Sequence, residues 1–146
     1  MKINIIALLI FIAGILFPKQ MLGQISVTSY SIYAFGVNTN QDKKLNLELK
    51  TFTNRTLDNL FFELDGFYNF TPGPYHKISI GLGVNVQPSN IDFLNALTLP
   101  CNLQIYPLQD FKRLSLIFEL APQYSVTLDE ISLRSLWGIR YRFENK

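Results

Sequence analysis

One histidine and one cysteine among 146 residues leave little from which metal or nucleophilic chemistry could be built. With His76 alone, a histidine-based metal cluster is excluded, and a Ser-His-Asp arrangement would have to form around the Pro-rich turn in which His76 lies. Cys101 alone excludes an intrachain disulfide framework; on the apolar side of a strand pattern, with no basic neighbour to activate it, it is expected to pack. Charge is scarce as well. Asp, Glu, Lys and Arg make up 16% of the chain, against roughly a quarter in soluble domains. The formal net charge of +2 and the dispersal of the basic residues leave no footprint for nucleic acid. Gly81-Leu82-Gly83 lacks a third spaced glycine and opens no helix, so it is no nucleotide loop, and no cofactor is expected.

What is plentiful is apolar: 48% hydrophobic and 14% aromatic residues, which with so little charge predicts that something other than water covers part of the surface. Part of the apolar content is an address. Lys2, the apolar run over 3–17 and the more polar run ending at Gly23 have the layout of a secretory signal peptide over residues 1–23. Its core of about fifteen residues is short for a spanning helix, which needs about twenty. Residues 24–146 are then one domain, with no linker and no helical periodicity.

The clearest strand is 78–87, where Ile78, Ile80, Leu82, Val84 and Val86 alternate with Ser79, Gly81, Gly83, Asn85 and Gln87. The same design recurs over 45–54, 60–70, 97–105, 114–124 and 133–143, and 25–37 is rich in Val, Ile, Tyr, Ser and Thr. Pro100 cannot donate to a ladder and predicts a bulge or break. The reading is an all-β, antiparallel up-and-down meander barrel of about seven strands.

Alternation alone leaves open whether the apolar face points inward or outward. Three features favour outward. The polar face carries Glu48, Glu63, Asp65 and Glu119 against Lys50, Arg134, Arg140 and Arg142, and charges confined to a lumen must pair. Tyr68, Phe70, Tyr75, Tyr106, Phe111, Tyr141 and Phe143 fall at strand ends that would share one rim, as in an interfacial girdle. Strands of about ten residues suit a tilted bilayer crossing.

In the signal-like N-terminus, the run Lys77-Ile78-Ser79-Ile80-Gly81-Leu82-Gly83-Val84 and the aromatic-ended strand Trp137-Gly138-Ile139-Arg140-Tyr141-Arg142-Phe143, the chain resembles the small, OmpX-like outer-membrane β-barrels of Gram-negative bacteria. The resemblance implies export to the outer membrane, lipid around the barrel, and recognition of Trp137, Tyr141 and Phe143 by the barrel-assembly machinery. Such barrels have even strand numbers, which implies an eighth strand. The expected function is structural or surface-interacting, without catalysis. The alternative is a periplasmic, lipocalin-like barrel with an apolar ligand inside. A third, an outer-membrane lipid-modifying enzyme, lacks its pair: in similar deacylase barrels His and Ser share a strand, whereas Tyr75 and Lys77 flank His76 here and Ser79 lies further along.

Register arithmetic makes the lumen specific. A turn centred on Thr56 and Leu57 sets Lys50 opposite Glu63 and Glu48 opposite Asp65; a two-residue turn at Asp129 and Glu130 sets Glu119 opposite Arg140. Two facing acids need a cation, so Arg134 or Arg142 is expected to cross the lumen to Glu48 and Asp65, with Gly81 and Gly83 leaving room for long arginine side chains. The same alternation puts Leu82 toward lipid and Gly83 toward the lumen.

Overall fold

The computed structural model describes residues 24–39, 42–53, 60–88 and 94–144. The signal-like segment and the turn at Thr56 and Leu57 lie outside them. Strands β1 (Gln24–Tyr30), β2 (Ala34–Asn38), β3 (Leu45–Phe52), β4 (Phe61–Asn69), β5 (His76–Val86), β6 (Leu94–Thr98), β7 (Cys101–Ile105), β8 (Leu114–Ser125) and β9 (Glu130–Glu144) follow one another around a single sheet. Each neighbouring pair is antiparallel, and β1 pairs with β9 from Gln24↔Glu144 to Tyr30↔Gly138, so the sheet closes on itself and that seam has no free edge.

β6 and β7 are two halves of one staple of the wall. Gly83↔Thr98 and Ile80↔Cys101 belong to the same register with β5, and Thr98↔Gln123 and Cys101↔Leu120 to the same register with β8. The gap between them has a plain cause. Antiparallel hydrogen-bonded pairs exchange two N–H···O bonds. Gly81 donates to the Pro100 carbonyl at 2.7 Å and Leu99 to the Pro122 carbonyl at 2.9 Å, but neither proline has an N–H to return. The wall therefore has eight strand positions.

The count of seven needs correction at 25–37. That stretch is a hairpin, turning at 31–33 with Ile32 and Tyr33 at φ 64° and 53°. A β-branched residue rarely adopts positive φ, and the turn contains no Gly, Asn or Asp to announce it. Ser31 ties the turn into the wall by donating its N–H to Trp137 O at 2.6 Å, and Thr53 N–H donates to Tyr33 O at 2.9 Å.

The β8–β9 register is also corrected. The turn occupies 126–129, not Asp129 and Glu130, and Asp129 takes φ 51° within it. Glu119 faces Leu136, and Arg140 faces Ser115. Moving the turn centre by two residues keeps every side chain on its own face but moves its partner by four.

The faces are inverted relative to a water-soluble barrel. Leu82 is 72% exposed and Leu45 65%, whereas Glu48, Lys50, Glu63 and Asp65 are all 0% exposed in the lumen. The start of β1 at Gln24 and the end of β9 at Glu144 share one end of the barrel, the terminal end, with the connections 39–44, 70–75 and 106–113. The aromatics gather there: Tyr68 and Phe70 meet edge-on at 5.5 Å between ring centroids, Tyr141 and Phe143 at 4.9 Å, and Phe111 lies 6.5 Å from Tyr141.

Candidate functional site: the charged lumen

Inward positions of eight strands converge on a narrow space, and it is filled by charge. Counting β6 and β7 as one position, β3 stands diametrically opposite β8, and β4 opposite β9. Two ion pairs run along these crossed diameters. Lys50 Nζ of β3 reaches Glu119 Oε2 of β8 at 2.6 Å, and Arg134 of β9 forms a two-pronged pair with Glu63 of β4, Nη1 to Oε2 at 2.7 Å and Nη2 to Oε1 at 2.6 Å. Glu119 links the diameters by also accepting from Arg134 Nη2 at 3.0 Å. Lys50 further touches Asp65 Oδ2 at 2.7 Å and Glu63 Oε1 at 3.4 Å, so one ammonium serves three carboxylates.

Glu48 has a separate cradle. Arg140 Nη2 donates to both its oxygens, at 2.8 and 2.9 Å, Tyr30 Oη donates at 2.7 Å and Asn38 Nδ2 at 3.3 Å. Arg140 is itself held by Thr28 Oγ1, which accepts from Nε at 2.5 Å. Smaller donors complete the set: Asn85 to Glu63 and Thr98 to Asp65, both at 3.3 Å. Buried ions are stable only when paired and hydrogen-bonded in this way.

Lys50 stands opposite Glu63, and Glu48 opposite Asp65, in the register expected from the sequence. The expected arginines are different. Glu48 is served by Arg140 rather than by Arg134 or Arg142, and Asp65 by Lys50. Arg134 goes to Glu63 and Glu119 because the shifted β8–β9 register brings it near Glu119. Arg142 leaves the lumen for the rim, where Nη1 meets Asp42 Oδ1 at 3.0 Å. Interior acids thus number four against three bases in the central network, and Lys77, buried at the terminal end, is the next inward cation.

The glycines make room, but not for arginine. A Cβ at Gly83 would run into Asp65 and Thr98, one at Gly36 into Glu48, and one at Gly81 would lie 2.8 Å from Phe67 Cδ1. Sequence reading missed the apolar filler altogether: Tyr30, Ala34, Ile117 and Leu136 form a small buried cluster inside the barrel, with Phe52 packed on it. Lys50 Nζ lies 5.6 Å from the ring centroids of both Tyr30 and Phe67, close enough for cation–π attraction. Phe67 had a signal, as an aromatic on the polar side of its strand. Tyr30 had none, since its strand was not separated from β2.

Among the described residues no group of His, Cys, Asp and Glu is placed to hold a metal ion. His76 is exposed on the outer side of β5, while Ser79 points inward and donates to Asn69 Oδ1 at 2.6 Å. Lying on opposite faces, they cannot act as a pair. The lipocalin-like alternative fails on the same inversion, because the interior is ionic and the apolar side chains are outside. An outer wall of exposed Leu, Val, Ile and aromatic residues far exceeds the scattered apolar exposure of soluble proteins and is the kind of surface a membrane barrel turns outward.

No protein-family model matches the chain, and no curated protein matches it. Similar solved structures include one titled "De novo design of transmembrane beta-barrels", at TM-score 0.53 and 14% identity over 82% of this chain and 92% of that one. The fold is that of a transmembrane β-barrel. A second similar structure is the outer membrane protein Ail of Yersinia pestis in a phospholipid bilayer nanodisc, at TM-score 0.48 and 13% identity over 82% of this chain and 97% of the other. On the transmembrane barrel, Trp137 and Phe143 are exposed on the outer side of β9, Tyr141 is half-buried between them, and Phe143 pairs with Ile25 at the terminal rim.

Proposed function

We propose that the protein is a small outer-membrane barrel whose closed lumen neither conducts nor catalyses, and that its role is structural or surface-interacting. The observation that carries this reading is Lys50, with no exposed side-chain area at the crossing of the two diameters. A pore needs a water-filled path, and here side chains from opposite walls meet at hydrogen-bond distance. Placement in an outer membrane follows from the signal-like segment together with a closed barrel that is apolar outside, since closed barrels are how strands span a membrane. The outward aromatics of β9, Trp137, Tyr141 and Phe143, serve on this reading as the strand presented to the barrel-assembly machinery.

Fractionation tests the location. Heat-modifiable protein that leaves the outer-membrane fraction only with detergent supports the reading, and release by osmotic shock overturns it. Reconstitution into a planar bilayer tests the closed lumen: the expected record has no conductance steps, and regular steps would overturn it.

A further inference from the structure

Charge is divided unevenly between the two rims of the barrel. At the terminal end, Lys43, Lys44, Lys112, Arg113 and Arg142 stand against Asp42, Asp110 and Glu144, the last residue of β9. Among the described residues of the opposite end, the turns 31–33 and 126–129 and the strand ends beside them hold Asp129 and Glu130 and no base. One rim is therefore basic and the other acidic.

The basic rim is tied to the aromatic girdle. Asn69 holds the β2–β3 connection by donating its N–H to Lys44 O at 2.8 Å and its Nδ2 to Lys43 O at 2.6 Å. Lys44 directly precedes Leu45, which is 65% exposed at the foot of β3. In the β7–β8 connection Phe111 donates its N–H to Leu108 O at 3.2 Å, and its ring lies beside that of Tyr141. Lys112 follows Phe111 directly. Lys43, Lys44 and Lys112 are exposed, and Lys44 and Lys112 make no ion pair among the described residues. Lysines placed just beyond a girdle extend their stems along the apolar wall and leave the ammonium at headgroup depth.

The two connections also lie apart. Because β3 stands diametrically opposite β8, they flank the barrel on opposite sides, where one small anion cannot reach both. A layer of headgroups around the rim reaches both. On each flank two bases stand beside one acid: Lys43 and Lys44 beside Asp42, Lys112 and Arg113 beside Asp110. That surplus of a single positive charge matches a headgroup with one phosphate rather than the several charges of lipid A.

We propose that the basic terminal rim is a contact surface for anionic glycerophospholipids, whose phosphates gather at Lys43, Lys44 and Lys112 on both flanks. The proposal rests on the membrane reading above. A basic residue near an anionic surface is worth about fivefold in association. The acidic rim repels the same headgroups, so the preference belongs to the leaflet at the terminal end.

The test refolds the mature chain, residues 24–146, into phosphatidylcholine vesicles. Electron paramagnetic resonance then measures how a trace of spin-labelled phosphatidylglycerol or phosphatidylcholine associates with the barrel. At low salt phosphatidylglycerol is expected to associate about fivefold more strongly. Lys43→Gln, Lys44→Gln and Lys112→Gln together should bring the ratio to about one. Salt at about 1 M should do the same to the unaltered chain, because screening then acts within about 3 Å. Asp129→Asn with Glu130→Gln, at the other rim, should not lower it. Equal association of the two lipids, a ratio that survives the triple substitution or the salt, or stronger association of spin-labelled lipid A would overturn the proposal. So would loss of the ratio to inorganic phosphate at constant ionic strength, which would make the rim a site for a soluble anion. Heat-modifiability in the vesicles is measured first. A parent that fails to insert defeats the membrane reading, whereas one that inserts without preferring phosphatidylglycerol defeats this inference alone.

Discussion

Lys50 shows how much rests on one side chain. Its ammonium touches Glu63, Asp65 and Glu119, and removing it leaves three carboxylates converging with only Arg134 in contact with two of them. Lys50→Met is expected to cost about 3–5 kcal/mol, the range for stripping a buried charge of its partner. Urea unfolding of the barrel in lipid vesicles measures it, and a change below about 1 kcal/mol would mean the acids are not held as described. Outside, the sign of polarity reverses. Leu82→Arg puts a cation into the lipid face and is expected to cost about 2–4 kcal/mol on the same assay if the site lies near the midplane. Gly83→Phe, by contrast, has to displace Asp65 and Thr98, and should stop folding altogether; a heat-modifiable band from that variant would show that the interior is looser than its contacts imply.

At the scale of the strand, the two prolines at the β6–β7 junction make a further expectation. Leu99 and Gly81 each lose a ladder donor, because Pro122 and Pro100 have none to give. In lipid such a gap is costly, since no water can fill it. The double substitution Pro100→Ala, Pro122→Ala restores both donors at roughly 1 kcal/mol each and loosens the unfolded chain by part of that, for a net gain of about 1 kcal/mol. A raised urea midpoint checks it; a lowered one would show that the break itself is needed. This is also where the limits of legibility are plainest. Alternation revealed which residues share a face, because side-chain period is a local property, so Leu82 and Gly83 could be assigned and Pro100 marked as a break. Partners depend on turns. The turn at 31–33 has no Gly, Asn or Asp, and that at 126–129 was masked by the charged neighbours Asp129 and Glu130. From those two turns follow the missed eighth strand and the misassigned partners of Arg134, Arg140 and Arg142.

For the molecule as a whole, the crossed diameters and the lengths of the connections matter together. Single-channel recording of the Lys50→Met variant is expected to remain silent, because Glu63–Arg134 and the Tyr30–Ile117–Leu136 cluster still close the lumen. Steps appearing with that variant would make Lys50 the sole plug. None of the seven connections between strands exceeds eight residues, at either end. Connections of this length give a partner arriving from water few residues to hold beyond the wall, so the apolar flank is the broadest continuous surface among the described residues.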